Sequence, residues 1–456
     1  MENIEIGTIY RTCLKTGLGK IFRNKKSLEI KGYYEGEKIS FNYCKKRKAF
    51  QNVSLLEQSA ERVPISCPHF HECGGCALLG LSIKAQEREK ERLIDTLYPG
   101  ENILPLIENP KSFHYRNKVE FTFSDNLKGE KKLGFITYGS RGFSFNITTC
   151  ALIPEWMIKA RDVTYQIWEK YPIKAYYLPK NEGILRSLLL RSNQEETAFL
   201  IGLVVQDKNA IPKEFLEEWV IQVLLAFEEK VSLSFYLIEQ KAVKGLPTTF
   251  SETHLQGPLT LQEELVLQLY DKKVKLTLNI RPLSFFQPNT SSAIKLYEKA
   301  IEGLELKGHE MVLDLYCGTG TLGMIASYFS REVIGIELST SSVLDAQEHL
   351  MQHQITNMTV HQGDVKELLP FLQLKNVDCV IVDPPRAGLD LKVIETLILL
   401  SPSKLVYVAC NAVTQKDNIQ YFKKAGYQIK SVIPVDQFTH TPHLENIVML
   451  EKEEHL

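Results

Sequence analysis

The run Val312-Leu313-Asp314-Leu315-Tyr316-Cys317-Gly318-Thr319-Gly320-Thr321-Leu322-Gly323 passes from an apolar, β-strand-like segment into a complete G-x-G-x-x-G. A glycine loop between a strand and a helix lets backbone N–H groups approach a nucleotide-type ligand. Glu337 follows Gly318 by 19 residues, where an acid ending the next strand can bond two ribose hydroxyls. Asp314 separates this loop from a dinucleotide site. A carboxylate there repels a pyrophosphate and suits the ammonium and sulfonium charges of S-adenosylmethionine. Asp364, after His361-Gln362-Gly363, is placed to meet an adenine. The plainer alternative is a glycine-rich packing turn with ordinary strand-end acids.

Outward from the loop, strands are expected at Met311–Tyr316, Glu332–Glu337, Met358–His361, Asp378–Val382, Lys404–Ala409, Tyr427–Pro434 and Asn446–Leu450. Helical segments separate them. A helix ahead of the first strand presents Ala293, Leu296, Tyr297, Ala300 and Ile301 on one face. Such alternation predicts a doubly wound, mostly parallel sheet with its ligands at the strands' carboxyl ends.

The rest of the 456 residues divides into two further regions. Residues 1–66 hold thirteen Lys and Arg, including Lys45-Lys46-Arg47-Lys48, against seven Glu, although the whole chain sums to −1. Strand-like Leu28–Lys31 and Ile39–Tyr43, with turns at Gly17, Gly19, Gly32 and Gly36, predict a small basic OB-like β-barrel at 1–62. Such barrels carry single-stranded nucleic acid, while a lysine-rich solvated face is the alternative. Residues 63–280 read as a mixed α/β region. It has a polar helix near 83–97, strands at Val119–Phe123, Phe199–Val205 and Val231–Ile238, and a helix over Phe215–Phe227. The fold class is thus multidomain α/β, with the nucleotide-binding domain at 281–456.

Composition excludes several classes. A hydrophobic share of 44% with 24% charged residues reads as globular rather than disordered. No run of about 18 apolar residues appears, so no membrane span is expected. Met1–Tyr10 carries Glu2 and Glu5 and lacks a basic-then-apolar start, so no secretory signal is visible. Nine scattered cysteines then suggest a reducing, cytoplasmic setting with metal-binding or catalytic thiols. Cys67, Cys73 and Cys76, with Cys150 further on, are spaced for a metal; the spacing leaves iron–sulfur and zinc both open.

Two more segments carry chemistry. Asp383-Pro384-Pro385-Arg386 follows the fourth strand, and its prolines fix an extended backbone that leaves the Asp at the active edge. A related element with an aromatic fourth residue serves amino-methylating enzymes, a role Arg386 fits poorly. Cys410-Asn411 follows the fifth strand. Most such cysteines are buried hydrophobes, but this one falls beside the expected methyl donor. The loop Asp436–Glu445 is polar and ends in Thr441-Pro442-His443-Leu444-Glu445.

Together these elements resemble the RNA uracil-C5 methyltransferase family over almost the whole chain. The resemblance includes Tyr115-Arg116-Asn117-Lys118-Val119-Glu120-Phe121, Ser284-Phe285-Phe286-Gln287-Pro288-Asn289, the glycine loop, Asp383–Arg386, Val406–Asn411 and the terminal Thr-x-His-x-Glu. It implies Cys410 as nucleophile and Glu445 as base. It implies Gln287, Tyr316, Glu337 and Asp383 as donor or uracil contacts, with Phe285 stacking near the target base; Asp314, Gly318 and Asp364, read from the glycine loop and the strand ends themselves, are expected to join them at the donor. It also implies an N-terminal TRAM barrel, a [4Fe-4S] cluster on Cys67, Cys73, Cys76 and Cys150, and RNA as partner, with 23S ribosomal RNA preferred. No obligate protein partner is implied. Ala409, Ala412, Lys416 and Thr439 depart from the usual Ser, Pro, Arg and Pro. The competing readings are a non-catalytic iron–sulfur RNA-binding protein, a transfer-RNA 5-methyluridine methyltransferase and an amino-methyltransferase.

Overall fold

Residues 4–46, 48–126, 129–140, 142–227, 231–242 and 248–453 are described by a computed structural model. Glu2 and Arg47, both named above, lie outside the described residues. Five strands open the chain: β1 (Glu5–Thr12), β2 (Gly19–Arg23), β3 (Lys26–Ile30), β4 (Lys38–Cys44) and β5 (Ala49–Glu57). They pair antiparallel in the order β3-β2-β1-β4-β5 around Ile9, Ile21, Ile30, Ile39 and Phe41. The ladders give a sheet; among the described residues no pairing of β3 with β5 closes it into the expected barrel. Gly19 differs from its reading as a turn. It opens β2, where the close approach of the Tyr33 carbonyl oxygen, 2.2 Å from where a Cβ would sit, requires a glycine.

Helix α1 (Ile83–Leu97) is capped by Ser82, whose side chain accepts the Ala85 N–H. Grouped with the central region by sequence position, α1 instead packs on the C-terminal sheet, where Ile94 and Tyr98 join the core. The chain after it runs along that sheet's edge through bridges Ile103–Val432 and Ile107–Val435. Two kinds of contact hold α1 there: Ile94 and Tyr98 bury against the C-terminal core, and the buried Gln86 and Lys90 bond the loop that precedes Glu445.

The central sheet comprises β6 (Lys118–Asp125), β7 (Lys131–Gly134), β8 (Leu185–Ser192), β9 (Ala198–Val205), β10 (Ser232–Lys241) and β11 (Thr249–Gln256), in the order β11-β10-β9-β8-β6-β7. Helices α2 (Glu155–Lys170) and α3 (Lys213–Ala226) cover one face with Trp156, Trp168 and Trp219. Trp156 stacks on Phe199 at 3.9 Å. The other face, through Leu189, Leu200, Tyr236 and Ile238, shares one apolar core with a hairpin and the C-terminal sheet. That hairpin, β12 (Leu261–Leu269) and β13 (Lys272–Ile280), alternates strictly, with Leu261, Leu265, Leu267 and Leu269 buried. Strict alternation is what a sheet with one wet face requires. Helix α4 (Thr290–Glu302) lies on the hairpin with the face read from its sequence turned inward.

The C-terminal sheet follows its sequence reading closely. In chain order it holds β14 (Met311–Leu315), α5 (Thr321–Ser327), β15 (Glu332–Glu337), α6 (Thr340–Gln352), β16 (Met358–Gln362), α7 (Val365–Phe371), β17 (Cys379–Val382), α8 (Leu391–Leu400), β18 (Lys404–Ala409), α9 (Ala412–Lys424), β19 (Tyr427–Val435) and β20 (Glu445–Lys452). The strand order is β16-β15-β14-β17-β18-β20-β19. The first five run parallel, and β20 inserts antiparallel between β18 and β19. The order reverses between β14 and β17, so a crevice opens there at the carboxyl ends. Among the described residues, no helix is long and apolar enough to cross a membrane.

Candidate active site

Strand register sets the first group of side chains. Leu315 pairs with Ile336 and with Val382, so Tyr316, Glu337 and Asp383 leave three neighbouring strands at one level. Tyr316 turns there with φ 62°, and its hydroxyl is pushed up to about 12 by burial, with Asp364 and Asp390 nearby. Glu337 holds the loop: one oxygen accepts the Gly318 N–H at 3.0 Å, the other the Ser339 N–H at 2.7 Å. Each oxygen keeps a lone pair for a ligand.

Asp314 behaves differently from a cleft carboxylate. It is 1% exposed, and its Oδ2 accepts the Gly323 N–H at 2.7 Å. A Cβ on Gly323 would sit 2.8 Å from that oxygen, so the third glycine is needed for the brace to form. Burial raises Asp314 to about 7, and Asp383 and Glu337 push the same way. Asp364 is exposed and caps α7, accepting the Lys366 N–H at 2.9 Å.

Cys410 directly follows β18, one residue before Asn411, which caps α9 by accepting the Val413 N–H. The β18–β20 ladder closes with Ala409 opposite Asn446. The next antiparallel step places Cys410 across from Glu445. Burial pushes the Cys410 thiol up, with Glu445 and Asp383 adding, while the Arg386 guanidinium hydrogen-bonds the sulfur and pulls it down. Arg386 is itself fixed through its carbonyl, which accepts Asn411 Nδ2 at 3.1 Å and Thr414 Oγ1 at 3.3 Å. Sequence reasoning assigned Arg386 only a poor fit to amine binding; its position in Asp-Pro-Pro-Arg was the available signal.

Glu445 is 5% exposed. Its carboxyl is raised well above the usual range by burial, then by Asp383, with Arg386 opposing. Burial likewise raises Asp383 to about 7. Tyr297, read from sequence only as part of an apolar face, neighbours Asp383, Glu445 and Asp314. The loop leading to Glu445 is pinned by α1: buried Lys90 pairs with Asp436 at 2.6 Å and bonds the Phe438 carbonyl at 3.2 Å. Gln86 accepts the His440 N–H at 2.7 Å. His443 is lowered by burial, with Arg386, Arg116 and Lys90 in its field.

Phe285 is 62% exposed, while Phe286 and Gln287, the two residues after it, are buried. Among the described residues the Gln287, Asp383 and Glu445 side chains make no hydrogen bond, although Gln287 and Glu445 are buried and Asp383 half-buried. Unpaired polar ends of this kind suit a ligand with ammonium, carboxylate and amide groups. The residues present therefore fit S-adenosylmethionine and a pyrimidine.

Cys67, Cys73, Cys76 and Cys150 line one cavity with Lys31, His69 and Phe70. Burial pushes the thiols of Cys67 and Cys150 up and that of Cys76 to about 12, and the neighbouring cysteines add to each. Among the described residues, no group of three or more His, Cys, Asp or Glu side chains is set to hold a metal ion. Lys31 donates to the carbonyls of Phe70 and Cys73, and the Leu78 N–H reaches the His440 carbonyl at 3.0 Å, joining the cysteine loop to the Glu445 loop.

Known proteins resemble this chain along its length. The model of the tRNA (uracil-5-)-methyltransferase family matches residues 259–453. An uncharacterized RNA methyltransferase of Protochlamydia amoebophila is 40% identical, covering 93% of this chain and 99% of the relative. Another from Chlamydia muridarum is 36% identical over 85% of this chain and 98% of its own. The crystal structure of Pyrococcus abyssi tRNA (uracil-54, C5)-methyltransferase, in complex with S-adenosyl-L-homocysteine, shares the fold. It has a TM-score of 0.76 and 24% identity, covering 98% of this chain and 99% of that one. The protein is an RNA methyltransferase. Within that class the chain belongs to the uracil-5-methyltransferase family.

Replacing Arg386 with Met removes the charge and hydrogen bond that favour the thiolate. The Cys410 thiol is then held more firmly protonated, and iodoacetamide at pH 8 should alkylate it roughly tenfold more slowly than in the wild type. Rates measured from pH 6 to 10 by mass spectrometry of the Cys410 peptide check this.

Proposed function

We propose that the protein forms 5-methyluridine in RNA through a covalent adduct at Cys410. The observation that carries this reading is the thiol of Cys410 facing the enclosed Glu445 carboxylate across the end of one ladder, with Asp383 and Arg386 beside them. Uracil C5 is a weak nucleophile. The Cys410 thiolate adds to C6, forming an S–C6 bond and moving the ring electrons toward C5 and the C4 carbonyl oxygen. S-adenosylmethionine supplies an electrophilic methyl group to C5 when bound. Glu445 takes the remaining C5 proton; those electrons restore the C5–C6 double bond and expel the thiolate. A carboxylate made more basic by burial suits proton removal from carbon. Asp383 orients the pyrimidine edge and Phe285 stacks on a base that has left its own stack. Gln287, Tyr316, Glu337 and Gly318 hold the donor, Asp364 faces its adenine, and Asp314 sets the loop.

The N-terminal sheet supports an RNA-binding role, in line with a TRAM module at 1–62, ahead of a central region at 63–280 and the methyltransferase domain at 281–456. Tyr10 stacks on Phe22 at 4.3 Å, and Arg11, Lys25 and Lys26, from β1, the β2–β3 turn and β3, are exposed. We assign Cys67, Cys73, Cys76 and Cys150 to a [4Fe-4S] cluster. Four thiols around a shared cavity, rather than converging on one point, favour a cluster over a single zinc, and Lys31 offsets its negative charge. Ribosomal 23S RNA in the cytoplasm is the substrate we favour. Transfer RNA is the second reading, because the fold of a transfer-RNA enzyme covers the N-terminal region as well.

Four outcomes follow. C410A binds S-adenosylmethionine by calorimetry but transfers no methyl to RNA. E445Q performs addition and transfer, then stalls, accumulating a denaturation-resistant protein–RNA adduct that carries the methyl; normal turnover of E445Q places the base elsewhere. Anaerobically purified protein contains about four irons and four acid-labile sulfides per chain; one zinc without sulfide excludes the cluster. Mapping 5-methyluridine in ribosomal and transfer RNA from cells with and without the protein locates the mark in 23S RNA, and loss from transfer RNA alone selects the second reading.

A further inference from the structure

The segment that presents Phe285 and Gln287 is strapped at both ends to the central sheet. At one end Arg191 of β8, 1% exposed, donates to the Ser284 carbonyl from both terminal nitrogens at 3.1 Å and to the Arg281 carbonyl at 3.4 Å. At the other end Asn117, just before β6, donates Nδ2 to the Gln287 carbonyl at 2.9 Å and its N–H to the Pro288 carbonyl at 2.9 Å. The two anchors are neighbours, since Lys118 pairs with Arg191 in the β6–β8 ladder and the Ser192 N–H bonds the Asn117 carbonyl.

Arg191 is an unusual choice for a structural strut. Among the described residues no carboxylate hydrogen-bonds or ion-pairs with it, and its Nε has no partner. The buried Glu263 lies in its field, but the guanidinium's hydrogen bonds all go to main-chain carbonyls. A buried charge held in this way is weak as a source of stability, and an apolar side chain of similar volume often serves a fold as well or better. Its geometry does one specific thing: two parallel N–H groups aimed at one carbonyl fix the direction of the backbone just before Phe285.

We infer that Arg191 is a positioning residue, whose buried guanidinium holds the 284–289 arch so that Phe285 and Gln287 meet base and donor. This rests on the reading of those two residues given under the proposed function. The test is hydrogen exchange together with S-adenosylhomocysteine titration on R191K, which keeps the charge but loses the paired donors, and on R191M. Both variants should exchange amides 284–287 and 289 at least tenfold faster than the wild type, with β9 and β14 amides unchanged. S-adenosylhomocysteine should bind at least fivefold more weakly, and R191M should melt within a few degrees of the wild type. Wild-type exchange at the arch, faster exchange throughout the sheet, or failure of both variants to fold each overturns the inference. If R191M alone fails to fold, R191K decides. If the wild-type protein binds no S-adenosylhomocysteine, the functional reading fails, and arch exchange still reports on Arg191.

Discussion

The antiparallel ladder between β18 and β20 is the constraint on which the site depends. Its register sets Ala409 against Asn446 and so brings Cys410 and Glu445, 35 residues apart in sequence, to the same end. A slip of one residue would turn Glu445 to the other face and leave the thiol facing an asparagine. The ladder is held from both sides: β17 supports β18 in parallel, and β19 flanks β20. Asn446 and Gln415 add a buried side-chain bond at 2.7 Å beside it.

That placement concentrates negative charge. Asp314, Asp383 and Glu445 lie in one enclosed region, with Tyr297 among them and Arg386 as the cation that reaches Cys410 and Glu445. Burial raises all three carboxyl groups, so each holds its proton more tightly than a surface acid. A cationic ligand entering here relieves that repulsion, which links donor binding to the ionisation of the acids. The same field and burial raise the Cys410 thiol, and Arg386 opposes that rise without reversing it.

Helix α1, the cysteine loop and the central sheet fix the loops of the site. Helix α1 grips the 436–444 segment through the buried Lys90–Asp436 pair and Gln86. The cysteine loop reaches the same segment through Leu78. The central sheet anchors the 284–289 arch through Arg191 and Asn117. Breaking one member of such a buried pair leaves the other polar group unsatisfied, which is why these contacts constrain the loops so strongly.

The amino-acid sequence by itself determined the C-terminal sheet, because local signals sufficed: apolar β-branched runs, helical periodicity and a glycine loop mark each element within a short window. It also placed Cys410, Asp383 and Glu337 at strand ends, since position after a strand is a local property. The third glycine's need to clear Asp314, the turn of Asp314 inward as a brace, the docking of α1 on the C-terminal rather than the central sheet, and the roles of Arg386, Tyr297 and Arg191 were decided by tertiary structure alone. Most of these depend on contacts between segments tens to hundreds of residues apart, and no local pattern of polarity or propensity encodes which carbonyl a buried guanidinium will meet. The pairing of Cys410 with Glu445 stands between the two: resemblance named both residues, but only the register of β18 against β20 sets them face to face.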